Sequence, residues 1–408
     1  MKDKVVTCCR AIKSRIETVN IGCFKDMDKP LFLIAENYPG IWMEHLYDSI
    51  LYAQMYPEKR EIAVNVIKAF LQHQKEDGQF PCYIWDGNRL DIPKDKLIGY
   101  GQIQEVVSYA RLTLDFYRQT NDKKLLRKCY ESAQKWDLWL RKNRMTLNRG
   151  LIEQFVGFDT GHDNSARNEG LAHLGEHRKN GEVLNAAVLP DDDGITPILA
   201  VDMNCNFYST QKALAEMALI FGEKEKAEHY LNNAKNIKAK LFEYCFDKED
   251  AYFYDVDRNG NKRKCKSSTI FHLFLERVLD KEEDKVLIEE IYKRHIKNPE
   301  EFWTPYPFPS MAVNDPSWSS HKKPNSWGYY SQANIALRTT LWMDYYGWSD
   351  DLDVICEKWL THWVNCFGER NFAQEIDPIT GQVSSCSQWY SACMLFCLYS
   401  AKRLRYIE

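Results

Sequence analysis

Apolar residues recur every three to four positions along most of this chain, the spacing that lines one buried face of a helix. Residues 4–20 carry Val5, Cys9, Ile12, Ile16 and Val19 in that register. After breakers at Pro30 and Tyr38-Pro39-Gly40, the pattern predicts helices over 44–56 and 58–75, the second stopped at Asp77-Gly78. It resumes over 102–119 and, behind Asn121-Asp122 as a cap, over 122–142. Further pairs are predicted at 204–221 with 223–243, 267–279 with 281–296, and 329–346 with 349–366. A last helix covers 386–404. Strand signals are few: Tyr252–Asp257 and Lys262–Cys265 flank Asn259-Gly260, a hairpin turn pair.

The result is roughly twelve helices in six hairpins, each helix apolar on one side and needing a neighbour to cover it. Links within a pair are short and loops between pairs are long. An open solenoid accounts for the pairs but not for the unequal loops. A closed ring of six hairpins accounts for both and gathers the long loops at one end. The expectation is therefore an all-α chain, an (α/α)6 barrel with one or two small β-ribbons. No stretch has linker composition, so residues 1–408 are read as one domain.

Composition narrows the function. With 54 basic and 58 acidic residues the net charge is −4, so no broad field attracts nucleic acid or an anionic membrane. No run of about 18 apolar residues is present to span a bilayer, and the first ten residues hold no apolar signal core. The 13 cysteines are odd in number and match no zinc spacing, which points to a reduced, cytoplasmic compartment. No metal-ligand cluster, phosphate loop or nucleophile elbow appears, so no metal or cofactor is expected. Asp191-Asp192-Asp193 lacks the ligand series of a calcium loop and reads as a solvated turn.

The chemistry gathers in the long loops. The stretch Gln154–Asn168 packs Asp159, His162, Asp163, Asn164, Ser165 and Arg167 into one glycine-bearing loop. Pro39–Ser49, Asp77–Pro81, Gly99–Glu105, Val201–Phe207, Trp303–Ser310, Asn325–Tyr330, Asn371–Gly381 and Ser387–Tyr390 likewise mix aromatics with Asp, Glu, Asn or Gln. Flat apolar rings beside bidentate polar groups suit a neutral, hydroxyl-rich ligand. Hydrolysing a glycoside with inversion needs two carboxyls about 6.5–9.5 Å apart. Asp163 and Glu375, on loops far apart in sequence, are the candidate pair.

Five of these motifs, in order along the chain, resemble those of glycoside hydrolase family 63, in its mannosylglycerate-hydrolase-like and trehalase-like branches. His45-Leu-Tyr-Asp48-Ser49 with Asp77–Pro81 is similar to the family's Trp-Asp-Ser helix and its following turn. Thr160-Gly-His-Asp163-Asn-Ser-Ala-Arg167 resembles Ser/Thr-Gly-Trp-Asp-Asn-Ser-Pro-Arg. Val201-Asp202-Met-Asn204 resembles Val-Asp-Leu-Asn. Thr304–Ser310 with Asn314-Asp-Pro316 resembles the segment before the family's Trp-Arg-Gly-Pro. Glu375–Gly381 with Ser387-Gln-Trp389 resembles its final acid segment.

The resemblance implies an (α/α)6 barrel and an inverting mechanism, with Asp163 as general acid and Glu375 as general base. It further implies that Trp42, Asp48 and Asp202 hold the sugar, that Asn164 and Arg167 orient the acid loop, and that Trp327 and Tyr329 wall the pocket. Gln102, Gln104, His162, Gln374 and Trp389 complete the expected sugar-binding set. Three departures stand out: His162 replaces a Trp, Ser326-Trp-Gly-Tyr329 lacks the Arg, and Gln374 stands where the family has its Glu. Assigning the base to Glu375 takes a one-residue shift. Two alternatives remain open on the same barrel. One is a carbohydrate-binding protein without catalysis, the other a sugar epimerase using His162, His173 and His177. The expected partner in every case is a small carbohydrate.

Overall fold

A computed structural model describes residues 1–24, 29–172 and 196–408, and between 173 and 195 only the backbone of 177–179 and 182–184. The expectations placed on His173, on the side chain of His177 and on Asp191–Asp193 lie outside the described residues.

Thirteen α-helices are formed by the described residues: α1 (Lys2–Arg15), α2 (Leu46–Met55), α3 (Arg60–Gln72), α4 (Tyr109–Thr120), α5 (Lys123–Asn143), α6 (Val201–Ile220), α7 (Lys224–Tyr244), α8 (Phe271–Leu275), α9 (Lys285–Ile291), α10 (Ala333–Thr339), α11 (Met343–Tyr346), α12 (Ser349–Cys366) and α13 (Ser391–Arg403). Six of them form an inner ring. Around it α13 packs on α2, α2 on α4, α4 on α6, α6 on α8, and α10 back on α13. Trp342, between α10 and α11, packs on α8, its ring 6.1 Å from Phe271 and 5.5 Å from Phe274. Outside the ring α3 packs on α2, α5 on α4, α7 on α6, and α12 and α1 on α13. This is the α/α barrel that the hairpin pattern predicts. The loops that enter the inner helices at their N-terminal ends are the long, motif-bearing ones.

One boundary that differs from expectation is set by side-chain capping. The helix expected from residue 102 begins at Tyr109, because Ser108 caps α4 by accepting from Arg111 N at 3.2 Å. Residues 102–105 instead run as buried loop, with Ile103 N bonded to Asp159 Oδ1 (3.0 Å) and Glu105 N to Asp159 O (3.0 Å). Asp122 caps α5 as expected, accepting from Leu125 N at 2.9 Å. The helix expected over 329–346 is broken into α10 and α11, and that over 386–404 starts only at Ser391.

The expectation of one or two ribbons is corrected: the described strands make six small sheets, one of four strands, one of three and four of two. Most of these strands are two or three residues long, too short to show an alternating pattern in sequence. Three of the sheets brace the loops at the site end. The four-stranded sheet joins Glu153–Gln154, Ile198–Leu199, Asp255–Val256 and Lys262–Arg263, while Ser331–Gln332 pairs with Glu375–Ile376.

Much of the aromatic excess is core: Trp342, Trp359 and Trp363 are among the largest fully buried side chains. All 13 cysteines are free. No helix among the described residues is long and apolar enough to cross a membrane. Because Trp342 is fully buried against α8, Trp342→Ala is expected to cost about 3–5 kcal/mol of stability. Urea denaturation with unchanged native far-UV circular dichroism checks this.

Candidate active site

The loops entering the inner helices enclose a cavity of about 270 Å³. That lies near the lower end of the roughly 300–1,000 Å³ common for ligand pockets, which suits a small ligand. One wall is aromatic. Trp42 stacks on Tyr38 (ring centroids 4.3 Å apart, planes at 13°) and meets Trp85 edge-on at 4.5 Å. Trp327 and Tyr390 also line the cavity, together with Gln104, Gln374, Asn325 and Cys386. Two carboxyl groups face it, Asp163 and Glu44.

Asp163 follows the tight turn at Gly161, where φ is +66° and a Cβ would come within 2.5 Å of Glu44 Oε2. Only glycine fits that approach without strain. Asn325 donates its Nδ2 to Asp163 Oδ2 at 2.8 Å, and Trp327 N donates to the Asp163 carbonyl at 2.9 Å. Burial, with the nearby charge of Glu44 adding, pushes the Asp163 carboxyl up to about 7, against the Asn325 hydrogen bond. Asn164 holds the other side of the same contact, donating to Asn325 O at 2.7 Å.

Arg167 anchors this loop. It is buried, and its guanidinium donates to Asp202 Oδ2 (2.7 Å) and Oδ1 (2.9 Å) and to Asp255 Oδ2 (2.8 Å). Its Nη1 also lies 2.8 Å from His162 Nδ1. Burial and the Arg167 charge hold His162 well below the usual imidazole range, so it is neutral and accepts from Arg167. Burial works against ionisation of Asp202, yet Arg167 keeps its carboxyl far below the ordinary value. Nitrogens of His162 and His272 and an oxygen of Asp202 cluster within 4.8 Å of one another. A guanidinium already occupies Asp202 and His162 there.

The expected residues divide into two groups. Trp42, Gln104, Asp163, Trp327 and Gln374 line the cavity. The others support it without lining it. Asp48 accepts from Ser391 Oγ, and burial raises its carboxyl to about 7. Asp202 serves Arg167, and His162 stacks on Trp327 with ring centroids 4.5 Å apart. Tyr329 stacks on Trp318 at 4.4 Å and donates to Asp377 at 3.0 Å. Gln102 is buried, and Trp389 packs on Phe372 at 5.3 Å.

Glu375 stands one layer behind the wall. It is fully buried, with Oε1 accepting from Asn325 N at 2.9 Å and Oε2 from Gln332 Nε2 at 2.8 Å. Burial raises its carboxyl, opposed by hydrogen bonds from Cys386, Ser384, Gln332 and Asn325. Asn325 thus touches Asp163 through its side chain and Glu375 through its backbone, while Gln374 Nε2 donates to Asn325 Oδ1 at 3.0 Å.

Sequence reasoning missed Glu44, although it lies inside the Pro39–Ser49 motif, one helical turn before Asp48. Asn334 Nδ2 donates to Glu44 Oε1, and Arg338 Nη2 lies 3.5 Å from the same oxygen. Burial raises the Glu44 carboxyl, against Arg338 and Asn334. Tyr390, whose hydroxyl lies 2.8 Å from His45 Nε2, and Asn325 were likewise quoted in motifs but given no role.

Comparisons with known proteins agree with the fold. The family model of the mannosylglycerate hydrolase MGH1-like glycoside hydrolase domain matches residues 48–391. The crystal structure of the family 63 mannosylglycerate hydrolase from Thermus thermophilus, in complex with Tris and D-glycerate, superposes with a TM-score of 0.71 at 16% identity, covering 97% of this chain and 99% of that one. Neutral trehalase Nth1 from Saccharomyces cerevisiae gives a TM-score of 0.68 at 13% identity, covering 98% of this chain and 80% of that one. An uncharacterised protein from Borreliella burgdorferi is 25% identical over 130 residues, 32% of this chain. The chain spans 26% of that relative's length.

Removing Arg167 would leave Asp202 and Asp255 as uncompensated buried charges. Arg167→Ala is therefore expected to cost about 3–5 kcal/mol, read by chemical denaturation.

Proposed function

The chain belongs to the mannosylglycerate hydrolase MGH1-like glycoside hydrolase family, and from that premise we propose that it hydrolyses a small α-linked glucoside or mannoside with inversion. The observation that carries the reading is Asp163, a carboxyl raised to about 7 at an aromatic-walled cavity. Near neutral pH such a group still carries a proton to give.

In this reading Asp163 protonates the leaving oxygen while the sugar lies against Trp42 and Trp327. The base is Glu375. Its support is that Asn325 ties it to Asp163 and that its raised carboxyl has more proton affinity than an exposed glutamate. Cys386 both lines the cavity and hydrogen-bonds Glu375, which ties the buried acid to the cavity wall. Gln374 presents an amide to the same wall, where it can orient a water but takes no proton.

That amide is also the observation favouring a second reading, a protein that binds the sugar without cleaving it. Family 63 relatives frame the ligand class: separate crystal structures of the Thermus hydrolase hold D-glycerate and glucose.

A release assay over a panel of α-glucosides and α-mannosides tests the proposal. Asp163→Asn and Glu375→Gln are each expected to lower kcat by about 10²–10⁴. Full turnover in either variant removes that residue from the mechanism. Binding by calorimetry with no release from any glycoside supports the second reading. The donor must be protonated, so wild-type kcat is expected to fall as pH rises through about 7.

A further inference from the structure

Trp327 lines two cavities. One is the candidate active site, and the other is a small cavity of about 20 Å³ whose lining residues are all buried. That volume has room for one water-sized or halide-sized guest. Its polar lining comes from Arg338 on α10, His162 of the acid loop, His272 on α8, and Ser268 just before α8. The rest of the wall is aromatic or aliphatic.

These polar groups lack acceptors. Ser268 Oγ and His272 Nδ1 are buried without a hydrogen-bond partner, a costly arrangement unless a guest supplies one. Burial pushes the His272 imidazole down to about 4, so the ring is neutral and can carry its proton on Nδ1. His162 is neutral too and accepts from Arg167 at Nδ1, which leaves its own proton on Nε2. Among the described residues the Arg338 guanidinium makes one ion contact, to Glu44 Oε1 at 3.5 Å, and that oxygen already accepts from Asn334. Burial favours the neutral form of Glu44. The contact therefore leaves most of the five donors of Arg338 unspent. No carboxylate is among the described residues that line the cavity.

We infer that this cavity is a binding site for one small monovalent anion of the halide class, held by Arg338, Ser268 and His272. A water there would have to spend Ser268 Oγ and His272 Nδ1 as acceptors and would bring no charge to Arg338. A halide accepts from all three, and hydrogen bonds to an ion in such dry surroundings are the strong ones. The small volume turns away polyatomic anions. The guest would rest against the stacked rings of His162 and Trp327, the pair that leads to the Asp163 carbonyl. It would thereby brace the acid loop. The inference concerns binding and does not depend on the hydrolase reading.

Two experiments on the full chain test it. Crystals grown in sodium bromide without chloride, measured at the bromine absorption edge, should show an anomalous peak bounded by Arg338, Ser268 and His272. In solution, replacing gluconate by chloride at fixed ionic strength should raise Tm along a saturating curve, as a ligand of the native state does. Ser268→Ala, which leaves every charge in place, should weaken chloride binding at least about tenfold. Arg338→Met should abolish the saturable rise, and Ser268→Ala keeps the test readable should the Met variant not fold.

Absence of a bromide peak in this cavity overturns the inference. So does a Tm that does not rise, or that climbs with any small anion without saturating, because that is screening rather than a site. An unchanged chloride midpoint in a folded Ser268→Ala overturns it as well.

Discussion

One buried guanidinium holds the site together. Arg167 belongs to the loop that carries Asp163, yet its partners come from elsewhere: Asp202 in the first turn of α6, Asp255 in a strand of the four-stranded sheet, and the ring of His162. A charge taken out of water is tolerated only when it is paired and hydrogen-bonded on most sides. Arg167 meets that condition in one arrangement of three chain segments, so the ion cluster fixes the acid loop in place. From there the order passes outward. His162 stacks on Trp327, Trp327 N binds the Asp163 carbonyl, and Asn325 reaches the carboxyl itself.

The helical ring supplies the other half of the arrangement. Its six inner helices all receive their long loops at one end, and three of the short sheets brace those loops against each other. The floor of the cavity is therefore protein rather than water. Carboxyls set there lose hydration and keep their protons to higher pH, the condition that separates a proton donor from an ordinary surface acid. Glu44 and Asp163 share this environment, and the charge of Glu44 adds to the cost of ionising Asp163.

How much of this was legible in the chain follows from the range of each signal. Helix faces obey a period, and the long loops announce their chemistry by composition, so the ring and the site end could be read from the residues alone. Depth could not. Glu44 and Asp48 are four residues apart and share a helical face, yet the first reaches the cavity while the second is spent on Ser391. Gln374 and Glu375 are neighbours, but in extended backbone successive side chains point to opposite sides. The amide thus faces the cavity and the acid lies behind it. Asp202 read as a sugar ligand, because nothing local to Val201–Asn204 reveals an arginine arriving from residue 167. The small sheets escaped notice for the same reason: two-residue strands are made by tertiary pairing, not by a pattern in their own residues.

The proposed hydrolysis depends most directly on the proton of Asp163. Carbon-detected NMR titration of the aspartate side chains, with the Asp163 signal assigned by its loss in Asp163→Asn, measures it without any substrate. The structure predicts a midpoint at about 7. A midpoint near the ordinary aspartate value of about 4 would contradict it, since a group ionised at neutral pH has no proton to donate.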